Sequence, residues 1–326
     1  MTSAAPQRPG SAPPLGAART AGRPVVRPGD RIFSAGTLAA GAIILVVLAA
    51  VAIFLVVQSV PAFTTDADDY SDGSQNFWEY VLPLVFGTVW AAVLALIAAT
   101  PLAMGIALFI SHYAPRRIAQ ALGYVIDLLA AVPSVVFGLW GVRVLAPFVA
   151  PFYAFLNADL GWFPLFAGQV SGSGRTILTA GLVLAVMVLP IMTAVMREVF
   201  LQTPKLHEEA ALALGATRWE MVRMTVLPFA RSGIVTGIML GLGRALGETL
   251  AVAMVLSPAH IISFLLLTGQ NPNTIAANIA LQWNEAVDKG PNILIASGLM
   301  LFVITFLVNG VARYVVARRT DFSGGN

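Results

Sequence analysis

The sequence predicts an all-α integral membrane protein with six transmembrane helices and both termini on the cytoplasmic side. Three observations predict it. Of 326 residues, 58% are hydrophobic and only 11% charged, where a soluble domain carries about 25% charge. The apolar residues gather in runs of the length a bilayer demands, about 20 helical residues for a hydrocarbon core about 30 Å thick. The basic residues gather on alternate connections, and such a Lys/Arg bias sets orientation.

Residues 1–30, rich in Pro, Gly, Ala and Arg and without apolar periodicity, read as a disordered basic arm. Ser34 to Val57 is then uncharged over 24 residues. That exceeds the roughly 7–15 residues of a signal-peptide core, so a first span is expected over about 34–57. The second, about 80–110, lies in an uncharged stretch of 31 residues, Tyr80 to Ile110, so it is tilted, kinked at Pro101 or protruding. The third is expected over about 118–146, broken by Pro133 and carrying Asp127 and Arg143. These two are over four turns apart and make no direct pair within one straight helix. The remaining spans are expected over about 177–200, 232–256 and 292–313. Together they form one membrane domain over 31–320, followed by a short tail, 321–326.

The charges test this topology. Segments assigned to the cytoplasm carry Arg8, Arg19, Arg23, Arg27, Arg31, Arg116, Arg117, Arg197, Lys205, Arg218, Arg223, Arg231, Arg313, Arg318 and Arg319, which is fifteen of the 19 basic residues. The opposite side keeps Arg175 and Lys289 but holds Asp66, Asp68, Asp69, Asp72, Glu79, Asp159, Glu285 and Asp288. The net charge of +3 is therefore a matter of membrane orientation and not a nucleic-acid footprint. Two outer segments are longer than a turn: 151–175, with Ser171–Gly174 as a Ser-Gly-Ser-Gly turn, and 257–291. In the second, Asn273 and Thr274 are expected to start a helix over Ile275 to Val287, stopped by Gly290-Pro291.

Several chemistries are excluded. The chain has no cysteine, which removes disulfides, thiolate catalysis and cysteine metal sites. Neither Lys205, after Pro204, nor Lys289, after Asp288, stands in a phosphate-binding Gly-Lys-Ser/Thr loop. His207-Glu208 is followed by Ala211 where a zinc protease needs histidine, and no Gly-x-Ser-x-Gly elbow occurs. A catalytic role is not expected.

Two stretches carry what chemistry there is. One is polar and lies between the fourth and fifth spans, with Glu208, Glu209, Arg218, Glu220 and Arg223. A helix is expected there at about 205–220, solvated or docked on another protein. The other is Gly241-Leu-Gly-Arg244-Ala-Leu-Gly-Glu248-Thr249 inside the fifth span. Charge at that depth is costly, and intramembrane ionisable groups mark function by default. Four apart on one helix, Arg244 and Glu248 share a face. They are either a structural ion pair or a cation for an anionic solute, moderated by a carboxylate. Gly233, Gly237 and Gly241 recur every four residues, a spacing for close helix approach, within the chain or to a second subunit. Pro133 frees a backbone carbonyl beside the Ser134 hydroxyl. Such backbone is tolerated at membrane depth only where protein or water covers it, so Ser134 is a candidate to line the same cavity.

These motifs carry a resemblance. Glu209-Ala210-Ala211, three residues, Gly215 and later Leu227-Pro228 resemble the EAA motif of permease subunits of bacterial ABC importers, with Thr225 as a departure two residues before Leu-Pro. The run from Ala131 to Gly141, Leu189-Pro190-Ile191-Met192 with Arg197 to Phe200, and Gly243 to Thr249 look like the PstC-type permeases of phosphate importers. The resemblance covers about residues 30–320. It implies a type I ABC importer (MetI-like) permease fold in a bacterial inner membrane. It also implies a PstA-type paralogous permease as partner, two PstB-type ATPases that hold the ATP and Mg, and a PstS-type binding protein that delivers inorganic phosphate. No cofactor is expected in this chain. By position, Glu208, Glu209, Ala210, Ala211, Gly215 and Arg218 would couple to the ATPase. Arg244, Glu248, Thr249 and Ser134 would line the phosphate pathway. Two alternatives stay open: an importer of another oxyanion such as sulfate or molybdate, and a non-transporting relay subunit. A polytopic lipid-modifying enzyme is disfavoured by the missing catalytic clusters.

Overall fold

Small residues decide how the bundle packs. In the helix α2 (Phe77–Leu108) Ala91, Ala95, Ala99, Ala103 and Ala107 recur every fourth residue and are at most 1% exposed. They form one flat face against α6 (Ile177–Leu201). At Gly181 of α6 a Cβ would lie 2.8 Å from the Leu94 Cβ. In lipid no hydrophobic effect drives helices together, so association rests on this kind of close contact. The computed structural model describes residues 28–65, 67, 70 and 72–320. Nearly all of the expected basic arm, and the tail 321–326, lie outside the described residues.

The first helix, α1 (Pro28–Ser59), belongs up to Val51 to a compact unit of its own. From Gly29 to Val51 every side chain is exposed, and beyond Arg31 the helix carries no charge. The second unit runs from Ala52 onward. In it α2 continues through a π-helical turn, Phe109–Tyr113, to α3 (Arg116–Ala130). After α4 (Ser134–Trp140) come a second π-turn, Gly141–Leu145, and α5 (Ala146–Leu160). Beyond α6 lie α7 (Lys205–Ala213) and α8 (Arg218–Met221), then a third π-turn, Val222–Val226, and α9 (Leu227–Phe229). The chain then forms α10 (Arg231–Leu246), α11 (Leu250–Val255), α12 (Ile275–Gln282) and α13 (Gly290–Thr320). Two-residue strands, Pro258–Ala259 and Asn271–Pro272, pair in parallel within the connection before α12.

Among the described residues five helices are long and apolar enough to cross a membrane. A sixth is added if Arg218–Phe229 and Arg231–Leu246, bent by 71°, count as one span. The fold is that of a multi-pass helical membrane protein.

Five boundaries differ from the sequence reading. The helix expected at about 205–220 is two, Lys205–Ala213 and Arg218–Met221, parted by the turn at Gly215, and the one expected to reach Val287 ends at Gln282. The apolar length of the third span runs over Ser134–Leu160, not 118–146. Residues 116–130 are a separate, amphipathic helix with Gly123 and Ile126 buried and Tyr124 and Asp127 exposed. Pro133 sets the break, because proline pushes the residue before it out of the helical region. The expected fifth span, 232–256, is two helices, with Gly247, Glu248 and Thr249 between them. Finally, Gly290-Pro291 opens α13 instead of closing a helix. Proline suits a first turn, where its missing N–H costs nothing.

Candidate functional site

The glycines of α10 set its register on α6. A Cβ on Gly233 would lie 2.4 Å from both Val199 methyls, one on Gly237 would lie 3.2 Å from Met196 Cγ, and one on Gly241 would lie 2.7 Å from Met192 Sδ. The stripe is therefore intrachain packing, which answers the question the spacing left open. As α10 ascends, its contacts descend α6 by one turn per turn. Three residues beyond Gly241, Arg244 thus lies level with Leu189–Pro190, the middle of α6. Around it the backbone is open: a Cβ on Gly243 would meet nothing within 4 Å.

Arg244 and Glu248 do not form an ion pair. The helix ends at Gly247, so the four-residue spacing does not place them on one face. Arg244 is half-buried, and its Nε is buried without a hydrogen-bond acceptor. Glu248 is 9% exposed, and its Oε1 accepts from the Ala251 N–H at 3.0 Å. It caps α11, where a carboxylate meets unpaired donors and the positive end of the helix dipole. The Thr249 hydroxyl donates to the Gly247 carbonyl at 3.2 Å, so it supports the break.

The other end of α11 is held by a residue the sequence did not single out. The Arg175 guanidinium donates to the carbonyls of Val255 through Nε at 3.2 Å, and of Met254 and Leu256 through Nη2 at 2.9 Å. A helix of six residues is thus bracketed by a carboxylate at its start and a guanidinium at its end. No motif signalled Arg175, because its partners are backbone atoms some 80 positions away.

Alongside α11 runs α4, in the same direction. A Cβ on Gly138 would meet Ala251 Cα at 2.9 Å, and one on Gly141 would meet Val255 at 2.9 Å and Val183 of α6 at 2.6 Å. One turn before Gly138, Ser134 registers with the break at 247–249. The structure therefore brings two helix starts, at Ser134 and at Leu250, to one level near the height of Arg244.

The polar segment lies at the far end of α6. α7 closes with Gly215 at φ +86°. The Gly215 N–H donates to the Leu212 carbonyl at 3.0 Å and the Ala216 N–H to the Ala211 carbonyl at 3.2 Å, the paired bonds of a Schellman cap. Thr217 and Glu220 then form a reciprocal capping box at the start of α8. This ordered turn presents Glu209, Ala210, Leu214, Arg218 and Trp219 outward, with Leu214 90% exposed. Ala211 is buried. Glu208 faces inward, with Oε1 3.5 Å from Nε2 of His112.

A bundle of crossing helices, broken and charged at mid-depth, defines the class: a membrane transport permease. The family described as binding-protein-dependent transport system inner membrane component matches residues 99–321. Phosphate transport system permease protein PstC 2 of Mycobacterium tuberculosis is 48% identical over 307 residues, covering 90% of this chain and 94% of the relative. The permease protein PstC of Mycobacterium leprae is 48% identical over 281 residues, 83% and 88% of the two chains. That of Mesorhizobium japonicum is 41% identical over 301 residues, 89% and 90%. A crystal structure of a bacterial ABC transporter involved in the import of alginate shares the fold, with a TM-score of 0.55 at 18% identity over 90% of this chain and 97% of that one. The chain belongs to the family of binding-protein-dependent transport permeases, and within it to the PstC-type permeases.

Proposed function

We propose that this chain is one of two paired permeases that carry inorganic phosphate into a bacterial cell through the inner membrane, with both its termini in the cytoplasm. Its relatives' names as phosphate transport permeases support the cargo. The single observation that carries the site is Arg244, half-buried at mid-bundle with a buried Nε that no acceptor among the described residues satisfies. Guanidinium donors form a fork that matches the oxygens of a phosphate. Ser134, which registers with the break at 247–249, offers a hydroxyl near the same level. Glu248, spent on capping α11, fixes the break and does not neutralise Arg244.

The chain is no enzyme; hydrolysis belongs to a partner. Two ATPases of PstB type, holding ATP and Mg, drive the cycle. A PstA-type permease is the second half of the pathway, and a PstS-type protein delivers phosphate from outside. The exposed surface of Glu209, Ala210, Leu214, Gly215 and Arg218 is the knob that seats in the ATPase.

Reconstituting the four kinds of subunit in vesicles tests this reading. ATP-dependent uptake of labelled phosphate, undiminished by an excess of sulfate or molybdate, is expected. Uptake of sulfate or molybdate in preference would reassign the cargo. Absence of any solute movement, with ATP hydrolysed, would make the chain a relay.

A further inference from the structure

Two adjacent carboxylates on α7 have different surroundings. Glu209 is exposed, whereas the Glu208 side chain is 21% exposed and faces His112, itself only 8% exposed. Among the described residues this is the one histidine–carboxylate contact that joins α7 to a membrane-crossing helix. His112 lies on the π-turn that ends α2. The wider turn inserts a residue into the helix and so rotates the side chains beyond it by about 100°.

The imidazole is held on both sides. Its Nδ1 is 2.7 Å from Ser111 Oγ, and that hydroxyl also lies 2.8 Å from the Ala107 carbonyl. Nε2 faces the Glu208 carboxylate. Helix α2 with its π-turn is 37 residues long, about 55 Å at 1.5 Å per residue, against a hydrocarbon core of about 30 Å. The helix is thus longer than that core is thick, and its His112 end meets α7. From there α2 runs the length of α6, and Leu96 of α2 lies within 3.6 Å of a Cβ placed on Gly241, one turn from Arg244.

We propose that His112 is a positioning residue of the transport cycle. Through Glu208 it receives the displacement of α7 and passes it to α2, and so to the helices that frame Arg244. The proposal rests on the reading of this chain as an ATPase-driven permease. Glu208 then acts inside the permease, and Glu209 beside it faces the ATPase.

The test is the number of phosphates moved per ATP hydrolysed by the assembled complex in vesicles. His112→Ala is expected to lower that ratio about fivefold or more, the low end of typical coupling between sites, with ATP hydrolysis and co-purification of the ATPase retained. His112→Gln, whose amide N–H still reaches the carboxylate, is expected to recover most of it. The exchange His112→Asp with Glu208→Lys is expected to exceed either single variant. An unchanged ratio in His112→Ala, or a loss matched by loss of the ATPase from the complex, overturns the proposal. Absence of ATP-driven phosphate uptake by the wild-type complex overturns the functional reading and the proposal together. Wild-type uptake with an unaltered His112→Ala ratio overturns the proposal alone.

Discussion

Gly241 lies against Met192 so closely that a Cβ would come within 2.7 Å of the sulfur. That contact, with Gly233 on Val199 below it, fixes the height of Arg244 in the bundle. The tighter of the two makes the cleaner test. Gly233→Ala is expected to destabilise the purified protein by about 1–3 kcal/mol, the cost of overpacking, seen as a lower melting temperature in detergent. Val199→Ala in the same chain removes both methyls a new Cβ would strike and leaves only the Val199 Cβ, 2.7 Å away, so it should restore part of the loss.

Gly215 tests the turn alone. Its φ of +86° costs an L-residue about 1–2 kcal/mol, while a Cβ there would touch nothing within 4 Å. Gly215→Ala should leave the chain in the membrane and lower ATP-driven uptake. Gly215→Asn, which tolerates the left-handed region better, should fall between Ala and the wild type. Gly215→Asp should abolish uptake, because it adds a charge to the docking surface.

The clamp on α11 gives a third expectation. Arg175→Lys replaces a fork by a point charge and cannot serve three carbonyls at once. The loss of a charge-assisted hydrogen bond is worth about 1.5–3 kcal/mol. Faster amide hydrogen exchange confined to residues 250–256 is expected, larger for Arg175→Ala. At the other end Glu248→Gln keeps an acceptor for the Ala251 N–H and should protect those amides better than Glu248→Ala.

Much of this architecture is legible in the sequence, because spanning lipid demands long apolar runs and the runs at Ser34, Tyr80, Ile177 and Asn292 are uninterrupted. The misreadings share one cause: hydropathy registers length and not backbone breaks. The stretch from Arg116 to Ala130 reads as part of a span because its polar residues are thinly spread, although in the structure Tyr124 and Asp127 lie on its exposed side. Arg244 and Glu248 read as a face-sharing pair because four-residue spacing assumes a continuous helix, and Gly247 ends it. The partners of Arg175 and of Glu208 were out of reach for another reason. One clasps backbone carbonyls and the other a histidine 96 positions away, and neither leaves a local pattern.

The account turns on Arg244 as the cation that phosphate meets inside the membrane. The most direct measurement is ATP-dependent phosphate uptake by vesicles holding the complete complex with Arg244→Gln, with assembly and ATP hydrolysis followed in the same preparation. Uptake reduced about tenfold or more, as losing a charge-assisted hydrogen bond implies, with the complex intact, is the predicted result. Uptake equal to that of the wild type would contradict it.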